Sequence, residues 1–175
     1  MVIAQTKRLY LRHFHVLDEK AMLGIFADPE VMQFSDYGVQ DEIWVQNWIH
    51  ECLVEYQRWG FGHYAVVEHQ SKAVIGYCGL ALDTEINGYP EVTLGYRLIR
   101  SAWGQGYATE AVQLTLEFAF NVLNLQRLIA TIDPSNHASV RVAEKIGMRF
   151  EKEFMPSGYS HPDYVYSLFS KGDPQ

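Results

Sequence analysis

The chain has 175 residues, 48% of them hydrophobic and 20% charged, with a formal net charge of −7. That length suits one domain spanning residues 1–175 with a full core. The acidic balance argues against non-specific nucleic-acid binding, which rests on clustered Lys and Arg, and agrees with attraction of cationic amines.

Lys7, Arg8 and Arg12 break up the N-terminal apolar residues, so neither a secretory signal nor a membrane span is expected. Cys52 and Cys78 are too few for a disulfide framework. The seven histidines lack the i, i+4 pairing of a zinc helix, so no metal is expected. The expected setting is the cytoplasm, and the expected assembly a monomer or homodimer.

In chain order, Leu9, Leu11 and His13 alternate with Tyr10 and Arg12 and predict a first strand. Asp18 to Ala27 reads as a short helix closed by Asp28-Pro29. Apolar spacing from Val45 to Tyr56 predicts a helix over Asp41–Trp59, stopped by Gly60. Strands are predicted near Gly62–Glu68, Ala73–Leu82 and Glu91–Ile99, separated by polar turns. A helix over Tyr107–Val122, a strand over Leu125–Ile132 and a helix over Ala138–Ile146 follow. Met148–Phe154 and Pro162–Phe169 read as a closing hairpin. This order of elements predicts a mixed α/β sheet.

The most informative stretch is Trp103-Gly104-Gln105-Gly106-Tyr107-Ala108-Thr109, at a strand-to-helix junction. Two glycines leave the backbone bare, and the helix start supplies free N–H groups and a positive dipole end, a combination that suits phosphate. A tight turn that merely needs glycine is the alternative. No Lys-Ser or Lys-Thr follows, which excludes a P-loop. Thr109 stands where a dinucleotide fingerprint needs its third glycine.

Gln105-Gly106-Tyr107-Ala108 resembles the Gln/Arg-x-x-Gly-x-Gly/Ala pyrophosphate loop of the GNAT N-acetyltransferases, with Trp103 in place of the usual Gln or Arg. The chain is similar to the ribosomal-protein N-terminal acetyltransferase branch over nearly its whole length. Thr6-Lys7-Arg8-Leu9-Tyr10-Leu11-Arg12, Leu94-Gly95-Tyr96-Arg97-Leu98, and Asp133-Pro134-Ser135-Asn136-His137-Ala138-Ser139 followed by Glu144-Lys145-Ile146-Gly147-Met148 carry the likeness.

The resemblance implies a GNAT fold, a single mixed sheet of about six or seven strands flanked by helices and splayed where the fourth and fifth strands part. It implies acetyl-CoA as co-substrate and a primary amine as acceptor, in the first place a protein N-terminal α-amine. A small amine such as a polyamine, or a sensor that binds acyl-CoA without turnover, stays open. Pantetheine is expected on the backbone of Leu98, Ile99 and Arg100, with Arg100 either meeting a phosphate or capping the sheet. Pyrophosphate is expected on N–H groups of Gln105, Gly106, Tyr107, Ala108 and Thr109, and Asn136 is expected to contact the cofactor.

Many relatives use a tyrosine seven residues after that Asn as general acid, and here the position is Ala143. Ser139 then either protonates the leaving thiolate or caps a helix. Thr93 replaces the acid that many relatives place on this strand, and Glu91, on the same strand face, is the candidate base or a strand-end charge. Glu30, Asp83, Glu85 and the His161–Asp163 segment are weaker candidates. Phe34, Ser35 and Tyr37, in the loop Phe34-Ser35-Asp36-Tyr37, are expected at the acceptor. The cysteines fall on a helix's apolar face and mid-strand, so direct attack of the amine on the thioester is expected rather than an acetyl-enzyme.

Overall fold

The structure is a computed structural model that describes residues 1–35, 37–156 and 161–170. Among them are eight strands and four α-helices: β1 (Val2–Gln5), β2 (Leu9–Arg12), α1 (Glu19–Phe26), α2 (Glu42–Trp59), β3 (His63–Glu68), β4 (Val74–Asp83), β5 (Glu91–Leu98), α3 (Tyr107–Asn121), β6 (Arg127–Ile132), α4 (His137–Lys145), β7 (Arg149–Phe154) and β8 (Asp163–Phe169). The mixed sheet agrees with expectation. The count is one higher than six or seven because Val2–Gln5 adds an edge strand that pairs with β2.

The strands form one sheet in the order β1-β2-β3-β4-β5-β6-β8-β7. Every neighbouring pair is antiparallel except β5 and β6, whose crossover runs through α3. Side chains alternate between the two faces, so β3 sends Tyr64 and Val66 into the cluster with Ala111, Val112 and Ala119 of α3. Ala65 and Val67 pack on the opposite face with Phe26 of α1 and Val45 and Ile49 of α2. A separate cluster joins Ala143 of α4 to Ala130 of β6 and Tyr166 of β8.

Helix ends follow local chemistry. The Asp41 carboxylate accepts from the Trp44 N–H (2.8 Å) at the start of α2, and Gly60, at φ +77°, ends it. Asp18 does not open α1 as a helical residue but closes a 3-10 turn over Val16–Asp18, where both of its oxygens accept from Arg12 (2.7 and 2.8 Å). No helix among the described residues is long and apolar enough to cross a membrane.

Candidate active site

Pairing between β5 and β6 is confined to Thr93 opposite Ile129. Residues 94–97 of β5 therefore have no β6 partner, and the sheet opens there. A cleft of about 1140 Å³ occupies the opening, lined by Gly95 and Tyr96 of β5, Ala130 and Ile132 of β6 and Ser139 of α4.

One end of the cleft reaches the loop before α3. Gly104 and Gly106 have φ of +72° and +80°, the left-handed region that glycine adopts without penalty. Gly106 is the N-cap of α3 and supplies no side chain to its free N–H groups. The first hydrogen bond into the helix runs from the Glu110 N–H to the Gly106 carbonyl (3.1 Å). The N–H groups of Gln105, Gly106, Tyr107, Ala108 and Thr109 have no acceptor among the described residues. Five donors at the positive end of a 15-residue helix fit an anionic phosphate group.

Arg8 holds this loop from the far side, a role the sequence did not disclose. Its guanidinium donates to the Gln105 carbonyl (2.9 Å) and the Glu110 carboxylate (2.7 Å) and lies 4.6 Å from the centroid of the Tyr107 ring. The Thr6 hydroxyl also donates to Glu110. The loop's carbonyl side is thus taken, and its N–H side is left to a ligand.

Of the expected pantetheine track, Leu98 lines the cleft, whereas Ile99 and Arg100 do not. The Leu98 carbonyl accepts the Trp103 indole N–H (2.8 Å), and the Ile99 N–H donates to the Ile75 carbonyl (2.8 Å). The Ile99 and Arg100 carbonyls accept from the Ala102 and Trp103 N–H groups (3.0 Å each). The Arg100 guanidinium lies against Asp28 (2.7 Å) and Glu30 (2.6 Å), so its charge is matched without a phosphate. The β5 stretch beyond the Thr93 bridge, from Leu94 to Leu98, has no β6 partner, and a ligand's amides can add there like a strand.

At the middle of the cleft, the two candidate roles of Ser139 separate. Asn136 is the N-cap of α4, and its side-chain oxygen accepts from the Ser139 N–H (3.1 Å). The Ser139 hydroxyl is free of capping and lies 3.1 Å from the Tyr96 hydroxyl. Burial pushes the Tyr96 phenol up, so it stays protonated and able to donate. Tyr96 escaped the sequence reading because only the fold brings α4 over β5. Ala143, at the usual tyrosine position, is buried in its own cluster.

Glu91 does not line the cleft. It is 5% exposed and accepts from the Asn87 amide (2.6 Å) and the Arg127 guanidinium (3.2 Å), which also binds Glu151. A carboxylate held by those donors is structural, and the expectation of a base there is corrected. Among the weaker candidates, Asp83 accepts N–H groups of its own turn, and Glu30 is paired to Arg100. Asp163 lines the cleft, and His161 lies 3.6 Å from Asp133.

The other arm of the cleft runs over the face covered by α1 and α2. Phe34, Ser35 and Tyr37 line it together with Trp44, Trp48 and Tyr77, and Asp36 lies outside the described residues. Cys52 and Cys78 are buried; burial pushes both thiols up, Cys78 to about 12, which leaves neither a ready nucleophile.

A splayed mixed sheet with a bare anion loop at one end of the gap has the shape and the donors to fit a phosphate-bearing ligand. Residues 8–149 match the family profile described as acetyltransferase (GNAT) domain, and the chain belongs to that family. It is 30% identical to an uncharacterized N-acetyltransferase, YnaD, of Bacillus subtilis, over 95% of this chain and 96% of the relative. Its fold is that of a GNAT-family acetyltransferase from Bacillus anthracis, with TM-score 0.82, 29% identity and coverage of 97% and 98% of the two chains. RimL, a ribosomal L7/L12 α-N-protein acetyltransferase solved with coenzyme A, shares the fold at TM-score 0.82 and 19% identity, over 99% and 100% of the chains. Acetyltransferases of this family use acetyl-CoA.

Proposed function

We propose that this protein moves an acetyl group from acetyl-CoA to a primary amine by direct attack, with a protein N-terminal α-amine as acceptor. The observation that carries the reading is the Tyr96–Ser139 hydroxyl pair beside the unpaired stretch of β5, with the bare α3 loop at the other end of the same cleft. The loop N–H groups from Gln105 to Thr109 bind the pyrophosphate, and residues 94–97 hold the pantetheine arm. Bound there, acetyl-CoA supplies an activated acyl group. The neutral amine nitrogen forms a bond to the acyl carbon, the carbon–sulfur bond breaks, the sulfur leaves as a thiolate, and the surplus proton on nitrogen passes to water. Ser139 donates its hydroxyl hydrogen towards that sulfur, and Tyr96 donates to the Ser139 oxygen behind it.

The acceptor assignment rests on proton supply. With Glu91 tied to Arg127, β5 offers the cleft no carboxylate to take a proton from a strongly basic amine, and Asp133, across the opening, accepts from the Ser135 N–H and hydroxyl. An α-amine with pKa near 8 is roughly a tenth free base at pH 7, and a lysine amine only about one part in a few thousand. A second reading, a small cationic amine, is favoured by the aromatic lining of the other arm. Release of coenzyme A with free-N-terminus peptides, N-blocked lysine peptides and small amines separates them. Transfer to lysine peptides at rates equal to those of free N-termini would remove the α-amine reading.

A further inference from the structure

On the acceptor arm, Cys52 and Glu55, one turn apart on α2, meet His63 at the start of β3. The Cys52 sulfur, a Glu55 carboxylate oxygen and a His63 ring nitrogen all lie within 4.8 Å of one another. All three residues line the cleft. No cation among the described residues pairs with Glu55 or with its neighbour Glu51, and the His63 ring has no hydrogen-bond partner there. The ring is instead held by aromatic faces, with centroids 5.6 Å from Trp48 and 5.1 Å from Tyr77.

These groups share one polarity. Burial lowers the His63 pKa to about 4, so near neutrality the ring is uncharged and its unprotonated nitrogen accepts. A carboxylate and a weakly accepting sulfur complete the set. A primary ammonium has three N–H donors, and a nitrogen about 2.8–3.0 Å from each of two acceptors fits between atoms less than 4.8 Å apart. Aromatic walls add cation–π attraction. Arg97 is the opposing charge and helps lower the His63 pKa, while burial and the charge of Glu51 push the Glu55 carboxyl up, a cost that an incoming cation would relieve.

The cluster sits at a defined distance from the opening in the sheet. His63 pairs with Gly79, which pairs with Gly95, so the three lie in one row across β3, β4 and β5. Two strand steps of about 4.8 Å put the cluster about 10 Å from Gly95, where β5 has left β6. A Cβ added at Gly95 would meet nothing within 4 Å, so the floor at that end of the row is open.

We infer that Glu55, His63 and Cys52, with Glu51 at the rim, form a subsite for a second ammonium of the acceptor, two strands across from the opening at Gly95. The inference rests on the acetyl-transfer reading and narrows its substrate to a dicationic amine. Such an acceptor is either an α,ω-diamine or polyamine, or a peptide with a free N-terminus and a lysine beside it.

The test compares kcat/KM for a graded series of α,ω-diamines with that for alkylamines of matching length, and for peptides with Lys or norleucine at the second position. Charged hydrogen bonds of this kind imply a preference for the dicationic member of about 10-fold or more at the best length. Glu55→Gln should bring that ratio close to one, and the control Glu117→Gln, exposed on α3 and away from the cleft, should keep it. A preference in diamines alone, or in peptides alone, identifies the source of the ammonium. Equal rates for mono- and dicationic acceptors, or an unchanged ratio in Glu55→Gln, overturns the subsite.

Binding of the diamine to the protein without acetyl donor, followed by tryptophan fluorescence, keeps the two readings apart. Binding lost in Glu55→Gln but unaccompanied by turnover supports the subsite and sinks acetyl transfer to that amine. Turnover of monoamines with no diamine binding sinks the subsite alone. Stoichiometric Zn²⁺ that displaces the diamine and is lost in Cys52→Ala would reassign the cluster to a metal and overturn the proposal.

Discussion

The Tyr96 hydroxyl, on β5, and the Ser139 hydroxyl, in the first turn of α4, lie 3.1 Å apart across the cleft. The pair comes from the two sides of the opening in the sheet, so it forms only when α4 is seated over the parted strands. Capping of α4 belongs to Asn136, which frees the serine for chemistry.

Ser139→Ala should therefore reduce kcat on the order of 10²–10³-fold with little change in melting temperature. Asn136→Ala should show the reverse emphasis, losing about 1 kcal/mol of stability from the cap. Tyr96→Phe keeps the ring and removes the donor behind Ser139, and about a 10-fold loss of kcat is expected. Steady-state rates and thermal melts on the three variants check this, and a Ser139→Ala enzyme within about threefold of the parent would exclude the acid role.

Coenzyme A should raise thermal stability, by about 2.7 kcal/mol at 100 times its dissociation constant. Gly106→Pro removes one of the five loop N–H groups that are to face the ligand, and its ring cannot adopt the φ of +80° found there. The folded variant should lose most of the coenzyme A response. An intact response, measured by differential scanning calorimetry, would move the phosphate elsewhere.

Glu91→Gln should leave turnover within about threefold of the parent, since the carboxylate faces Arg127 and Asn87 rather than the cleft, and general-base loss would cost 10²–10⁴. Its effect should be on stability, about 1–3 kcal/mol from an impaired buried hydrogen-bond set. A rate loss above about 100-fold with an unchanged melting point would restore Glu91 as base.

His63 gives a pH signature. Burial lowers its folded pKa from 6.5 to about 4, so the unfolded chain binds this proton first as pH falls. Stability should fall with pH between about 6.5 and 4 and level off below, where both states are protonated. Asp18 acts lower down. Burial alone would raise its carboxyl, but hydrogen bonds from Arg12 and the His15 N–H outweigh that and lower it, so its contribution is present above the ordinary carboxylate range and lost as pH falls through the folded value. Urea melts from pH 7 to 4 should show a slope that His63→Gln removes; an unaltered slope would place the titrating group elsewhere.

What could be read from the chain divides by the range of the interaction. The α3 loop was legible because Gly104 and Gly106 state their backbone requirement locally. Most strands and helices were legible because alternation and helical spacing repeat within each element. β1 was not, since four residues on a sheet edge with an outer pattern of exposed ends carry too little periodicity. The fate of Glu91 was hidden because Arg127 reaches it only through the parallel pairing of β5 with β6. Arg8, Tyr96 and the Cys52–Glu55–His63 cluster were hidden for the same reason: each acts on a partner brought near by the sheet or by a helix laid over it.

The single bridge between Thr93 and Ile129 has a mechanical consequence. It makes the sheet two leaves, β1 to β5 and β6-β8-β7, hinged at one residue pair and bound together by α3. A ligand that adds its own amides to residues 94–97 and its phosphates to the start of α3 would clasp the hinge from the open side. Amide hydrogens of Leu94 and Tyr96, which alternate with those bonded to β4 and so face the opening, should then exchange with solvent quickly in the empty protein and slowly once coenzyme A is bound, while those in the β3–β4 ladder barely change. The missing rung of the sheet would be supplied anew in each turnover by the molecule that brings the acetyl group.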